Sequence, residues 1–326
     1  MFDFKIRHEE TTPDVDNNTL YDVIVLGGGP AGLASGMYAA RAGLNTLVLE
    51  KGVVGGQIAS TSFIENCPGC AEGSGTDFIS YMEQQATKFG AKIAYADVLE
   101  VDLRGDTKAV HTPDGKLRTR SVIIATGASS QTMGVPGEEQ FRGRGVSYCA
   151  TCDGPFYKDK VVAVIGGGDA AVEEANYLTR FASRVILIHR RDQLRATKVI
   201  QDHAMANPKL ELRLDTVIDE MLGDQKIDKL ILRNVKTGQK SELSIDGVFV
   251  YIGMRPNTKL FERQLELTPE GYIITNEKME TSAPGVFAAG DVRRTPLRQV
   301  ITAAADGAVA ATYADRYLSG DEQWAA

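Results

Sequence analysis

The chain has 326 residues, 43% of them hydrophobic and 24% charged, enough apolar residues to fill two cores of ordinary size. A net charge of −7 argues against nucleic acid or an anionic membrane as the main partner. No apolar run approaches the roughly 18 residues a bilayer-spanning helix needs, and Met1–Asn18 is polar and acidic without the apolar stretch of a secretory signal. The expectation is a cytoplasmic protein with an extension over residues 1–19, flexible or docked on the surface. In a reducing compartment a Cys-x-x-Cys pair is more often catalytic or metal-binding than a structural staple.

In chain order, Tyr21–Leu26 predicts a strand, followed by Gly27-Gly28-Gly29-Pro30-Ala31-Gly32 and an Ala-rich helix to Ala42. Gly27, Gly29 and Gly32 have the G-x-G-x-x-G spacing. The first makes the tight turn, the second admits a pyrophosphate, and the third lets helix and strand pack closely. The helix N-terminus offers free N–H groups to phosphate. A second strand, Thr46–Leu49, ends in Glu50, placed for ribose hydroxyls. Strand, turn, helix and acid together predict a dinucleotide site.

Glu65-Asn66-Cys67-Pro68-Gly69-Cys70 holds the first Cys-x-x-Cys. It reads as an auxiliary redox dithiol, half a metal site, or two semi-buried thiols filling space. Zinc wants four ligands and the other two cysteines are committed elsewhere, so no metal site is expected. The second pair, Cys149-Ala150-Thr151-Cys152, is followed by Asp153 and lies between two glycine-rich loops. There it reads as a redox-active disulfide.

Val161–Ile165 predicts another strand, followed by Gly166-Gly167-Gly168-Asp169-Ala170-Ala171 and a helix over Val172–Thr179. Gly166, Gly168 and Ala171 form a G-x-G-x-x-A variant. The next strand, Arg184–Ile188, ends in His189-Arg190-Arg191, with Arg195 one turn on. An acid would repel a 2′-phosphate, whereas guanidinium groups bind it with charge-assisted bonds, so this site should prefer NADPH to NADH. His189 reads as positional. A short strand over Gly285–Ala289, then Gly290-Asp291 and a helix over Val300–Leu318, complete the chain. Two similar βαβ units form a domain-scale repeat in an α/β fold.

From Tyr21 to Leu318 the chain resembles the low-molecular-weight thioredoxin reductases. The residues that carry the resemblance are Gly55-Gly56-Gln57, Ala125-Thr126-Gly127, Gly143-Arg144-Gly145-Val146-Ser147 leading into Cys149–Gly154, the HRR-x-x-x-R cluster, Gly253-x-x-Pro256-Asn257, Phe287–Asp291 and Arg298-Gln299. The resemblance implies two Rossmann-like domains, an NADPH domain over 131–257 inserted into a discontinuous FAD domain over 20–130 and 258–326. It implies an NADPH-dependent thioredoxin-disulfide reductase that works as a homodimer.

Residue by residue, FAD would be held at Gly27, Gly29, Gly32, Glu50, Gly56, Gln57, Asn66, Asp291, Arg298 and Gln299. Asp291 would meet the ribityl chain, and Arg298-Gln299 the isoalloxazine. NADPH would be held at Gly166, Gly168, Ala171, His189, Arg190, Arg191 and Arg195. Hydride would pass to the flavin and onward to the Cys149–Cys152 disulfide. Cys152 would face the flavin, Cys149 would attack thioredoxin, and Asp153 would donate or accept the proton. Paired thiols are needed because a neighbouring thiolate must resolve the mixed disulfide. Linkers near Thr126–Gly134 and Ile252–Pro256 would let the NADPH domain rotate. Phe156 and Tyr157 would dock a partner or fill a core, and Arg144 could add an ion pair at such a docking surface. The chain departs from the family at Cys67, where an aromatic is usual.

Rival readings are fewer in support. An alkyl-hydroperoxide-reductase-type flavoprotein would carry a further N-terminal redox module, for which the extension is too short. A flavin dithiol oxidase would not need Arg190 and Arg191, and a disulfide oxidoreductase with another partner stays open. The larger disulfide reductases use a C-terminal His, which this chain does not have. A non-catalytic FAD-binding protein would not need both cysteines.

Overall fold

The computed structural model describes residues 15–60, 64, 66–68 and 73–320. They divide into two units. One runs to Ser129 and resumes at Arg255; the other spans Ser130–Met254.

The first unit opens with β1 (Leu20–Leu26), α1 (Pro30–Arg41) and β2 (Thr46–Glu50). Proline at the start of α1 supplies a fixed φ where no N–H is needed. After α2 (Gly75–Lys88), whose Ser74 cap accepts from the Asp77 N–H, come β3 (Lys92–Tyr95), β4 (Glu100–Asp102), β5 (Lys108–Thr112) and the long β6 (Gly115–Ile124). The sheet order is β3-β2-β1-β6-β5-β4. β3, β2, β1 and β6 run parallel, while β5 and β4 turn back antiparallel. Val23, Ile24 and Val25 are fully buried, as expected of a central parallel strand covered on both faces. Residues 15–19 of the extension dock here: Asn17 donates to the Asp114 carbonyl at the β5–β6 turn. Residues 1–14 lie outside the described residues.

β7 (Ala128–Ser130) leads into the second unit. There β8 (Val146–Ser147), the one-turn α3 (Ala150–Asp153), β9 (Val161–Gly166), α4 (Asp169–Leu178), β10 (Arg184–Ile188), α5 (Lys198–Met205) and β11 (Leu210–Arg213) follow. An antiparallel meander, β12 (Thr216–Gly223), β13 (Ile227–Asn234) and β14 (Lys240–Ser244), precedes β15 (Gly247–Tyr251). The main sheet, β11-β10-β9-β15-β8, is parallel throughout. α4 begins at Asp169, three residues before the sequence reading placed it, because an acid in the first turn suits the helix dipole.

β16 (Met254–Pro256) pairs with β7. Thr126 Oγ1 donates to the Asn257 carbonyl, and Asn257 Nδ2 donates back to the Thr126 carbonyl at 2.8 Å. The chain then returns to the first sheet. β17 (Val286–Ala288) pairs parallel with β6, and α6 (Val300–Ser319) packs on α1.

Candidate active site

In the first unit the glycine turn is built by close approach. Gly27 has φ +109°, and a methyl group there would collide with the Ala125 carbonyl. A methyl at Gly32 would strike the Gly27 carbonyl, while the space beside Gly29 is open to 4 Å. Glu50 closes the loop: its Oε2 accepts from the Gly28 N–H at 2.7 Å and its Oε1 from the Gly52 N–H at 2.9 Å. The acid therefore holds the loop's shape as well as standing at the end of β2. Gly56 faces Gly29, and Gln57 donates to the Ala128 carbonyl.

The C-terminal segment adds the other expected residues to this unit. Asn66 Nδ2 donates to Gln299 Oε1 at 3.1 Å, and Gln299 forms a capping box with Thr302 at the start of α6. Arg298 lies over the Tyr272 ring at 4.6 Å, and its buried Nε has no hydrogen-bond partner. A buried unpaired donor and an open glycine loop fit a cofactor with polar edges and a pyrophosphate. Burial pushes the Asp291 carboxyl above its usual range, with Asp306 adding to the rise and Arg298 opposing it. Cys67 is buried. Cys70 lies outside the described residues, and with it the geometry of an auxiliary dithiol.

In the second unit Gly166 has φ +153°, and a methyl there would collide with the Tyr251 carbonyl. The space beside Gly168 is open, and Ala171 is buried against β9. His189 packs against Gly167, and its Nε2 is buried without a partner. Burial lowers its pKa, as do Arg195, Arg191 and Arg190, against a backbone hydrogen bond at Gly166 that raises it. Arg190, Arg191 and Arg195 are exposed, and among the described residues none forms an ion pair. The nearby acid Asp192 is taken by Lys236 at 3.1 Å. Three guanidinium groups without a carboxylate fit a phosphate.

Cys149 and Cys152 are joined in a disulfide across α3, with Cα atoms 5.3 Å apart. Cys149 caps the helix: its Sγ accepts from the Cys152 N–H at 3.2 Å. An N–H aimed at sulfur favours the thiolate that reduction leaves there. Ser147 Oγ accepts from the Cys149 N–H, and the Tyr251 hydroxyl accepts from the Ala150 N–H at 2.5 Å. Burial raises the Asp153 carboxyl, against a smaller opposing pull from Ser147. A raised pKa keeps the proton on Asp153 to higher pH, and the proton-donating form is lost as pH rises through that value. Asp153→Asn is therefore expected to slow single-turnover disulfide reduction by about 100-fold and to flatten its alkaline limb. Stopped-flow rates across pH check this; an unchanged profile would remove Asp153 from proton transfer.

Phe156 is 45% exposed, while Tyr157 stacks edge-on against Phe249 in the core. The aromatic pair thus splits, one outward and one inward. Tyr251 and Asp306 stand in no motif of the sequence. Tyr251 ends β15 opposite Gly166, and only the strand register brings its hydroxyl to α3.

A family model described as pyridine nucleotide-disulphide oxidoreductase matches residues 21–307. The thioredoxin reductase of Peptoclostridium acidaminophilum is 45% identical over 309 residues, covering 93% of this chain and 98% of that protein. That of Treponema pallidum (strain Nichols) is 48% identical over 301 residues, covering 92% and 98%. Among solved structures, the thioredoxin reductase from Streptococcus pyogenes MGAS5005 matches with a TM-score of 0.89 at 46% identity, covering 93% of this chain and 99% of that one.

Proposed function

We propose a function from one premise: the chain belongs to the pyridine nucleotide-disulphide oxidoreductase family. It is an NADPH-dependent thioredoxin-disulfide reductase that uses FAD. The observation that carries the reading to particular residues is the Cys149–Cys152 disulfide, set in the unit that also holds the second glycine loop and, after β10, three arginines without an ion pair among the described residues.

The first unit is the FAD-binding domain and the second the NADPH-binding domain. When bound, NADPH supplies hydride and FAD holds the electron pair on its way to sulfur. The chain's own residues do the rest. Arg190, Arg191 and Arg195 grip the 2′-phosphate, with His189 packed against Gly167 bracing the loop beneath it. Gly27, Gly29, Gly32 and Glu50 shape the flavin's pyrophosphate and ribose seat, and Gly56, Gln57, Asn66, Asp291, Arg298 and Gln299 line the rest. Cys149 attacks the partner disulfide, Cys152 resolves the mixed disulfide, and Asp153 manages the proton. The partner is thioredoxin. We further assign a cytoplasmic homodimer, on the strength of the family resemblance; among the described residues no helix is long and apolar enough to cross a membrane.

The purified protein should be yellow, with about one FAD per chain, because one loop of this geometry seats one pyrophosphate. Anaerobic NADPH should bleach it, and oxidised thioredoxin should restore the colour. A colourless protein that takes up no FAD on reconstitution would sink the reading.

A further inference from the structure

Asp306 lies in the second turn of α6, on no recognised motif, and its carboxylate is largely shielded from solvent. Its side chain is 15% exposed, and that of Arg293 is 13% exposed. Oδ2 of Asp306 accepts from Arg293 Nη1 at 3.0 Å and from the Gly290 N–H at 3.1 Å. Arg293 is itself fixed, because its Nε donates to Thr275 Oγ1 at 2.6 Å.

These two bonds bracket a single short element. The 3-10 turn Gly290–Val292 begins at Gly290 and ends just before Arg293, and Asp291 is its middle residue. One carboxylate thus grips the turn at its first N–H and at the side chain just past its end. The turn has little other freedom. A methyl at Gly290 would come within 2.9 Å of the Ala31 Cβ, so the turn is wedged against the start of α1. Gly307, next to Asp306, approaches the Ala31 carbonyl so closely that a methyl there would collide with it. α1, α6 and the turn therefore meet with no slack, and Asp306 supplies the polar bond that sets the turn's place among them.

We infer that Asp306, through its paired hold on Gly290 and Arg293, is a positioning residue for the flavin: it fixes where Asp291 is presented to the cofactor. The inference rests on the assignment of Asp291 to the flavin site. A neutral amide at 306 can still accept from the Gly290 N–H, but it leaves the Arg293 guanidinium buried and uncompensated. The turn then loses one of its two anchors while the fold around it stays in place.

The test is titration of the FAD-depleted protein with FAD, read by quenching of flavin fluorescence. Asp306→Asn should raise the FAD dissociation constant about tenfold or more, the scale of one lost charge-assisted bond. It should also shift the visible flavin band of the reconstituted protein. Asp306→Glu keeps the charge and should recover most of the affinity and the wild-type spectrum. NADPH binding to the same depleted proteins, read by nucleotide fluorescence, should stay within about twofold of wild type, since that site is built from the other unit.

Equal loss of NADPH and FAD binding would mean general fold maintenance and overturn the inference. So would an FAD affinity within twofold of wild type. Should Asp306→Asn fail to fold, Asp306→Leu with Arg293→Met removes both charges together, an exchange that buried ion pairs commonly tolerate. That double variant should fold, bind NADPH and bind FAD weakly; wild-type FAD affinity in it would overturn the inference. Asp291→Ala separates the two layers. If it leaves FAD affinity unchanged, the site assignment fails. If it weakens FAD while Asp306→Asn does not, the assignment stands and only the role of Asp306 falls.

Discussion

Replacing either Cys149 or Cys152 with serine is expected to lower thioredoxin turnover by a thousandfold or more, on the order seen when a nucleophile is removed from an active site. Flavin reduction by NADPH should survive in both variants, since the glycine loops and the arginine cluster are untouched. The two should differ in one respect. In Cys152→Ser the backbone N–H of residue 152 still points at the Cys149 sulfur, so that thiol stays reactive. It should accumulate a mixed disulfide with thioredoxin, visible as a covalent adduct on a non-reducing gel. Cys149→Ser should form far less adduct. Turnover near wild type in either variant would show that another thiol pair carries the chemistry.

The next largest effect should come from Arg190 and Arg191 replaced together by glutamine. KM for NADPH should rise about 10- to 150-fold, the equivalent of roughly 1.5–3 kcal/mol for charge-assisted bonds to phosphate. KM for NADH, which has no 2′-phosphate, should move no more than about twofold by the same reasoning. Both arginines are exposed, so salt should weaken the wild-type preference as well. Equal use of NADH and NADPH by the wild type would mean that the basic cluster has another purpose.

Much of this was legible in the sequence because it is local. The glycine turns, Glu50 at the end of β2 and the arginines after β10 all follow from strand-turn-helix order within some 30 residues. The Cys149–Cys152 pair announces itself by spacing. What was not legible depends on tertiary register. Tyr251 meets α3 only because β15 runs beside β9, and 100 residues separate its hydroxyl from the Ala150 N–H. Asp306 reads as one polar residue in an Ala-rich helix until the turn at Gly290 is laid against it. The meander β12–β14 carries no clear period in the sequence. Its strands alternate buried and open positions irregularly, and register shifts interrupt the β12–β13 pairing.

The slot that β17 fills beside β6 has a consequence for synthesis on the ribosome. About 160 residues separate the end of β6 from the start of β17. At roughly 5–20 residues per second, the first sheet waits on the order of 10–30 s with Val122–Ile124 of β6 unpaired on the side away from β1. α1 waits longer still for α6, with its small-residue face bare. The inserted unit has no such delay, because β8 through β15 emerge in one stretch and can close their own parallel sheet first. The nascent chain therefore carries a finished second unit while the first still exposes a strand edge. That interval is when a chaperone would hold it, and when neighbouring chains on a polysome would be most prone to pair through β6.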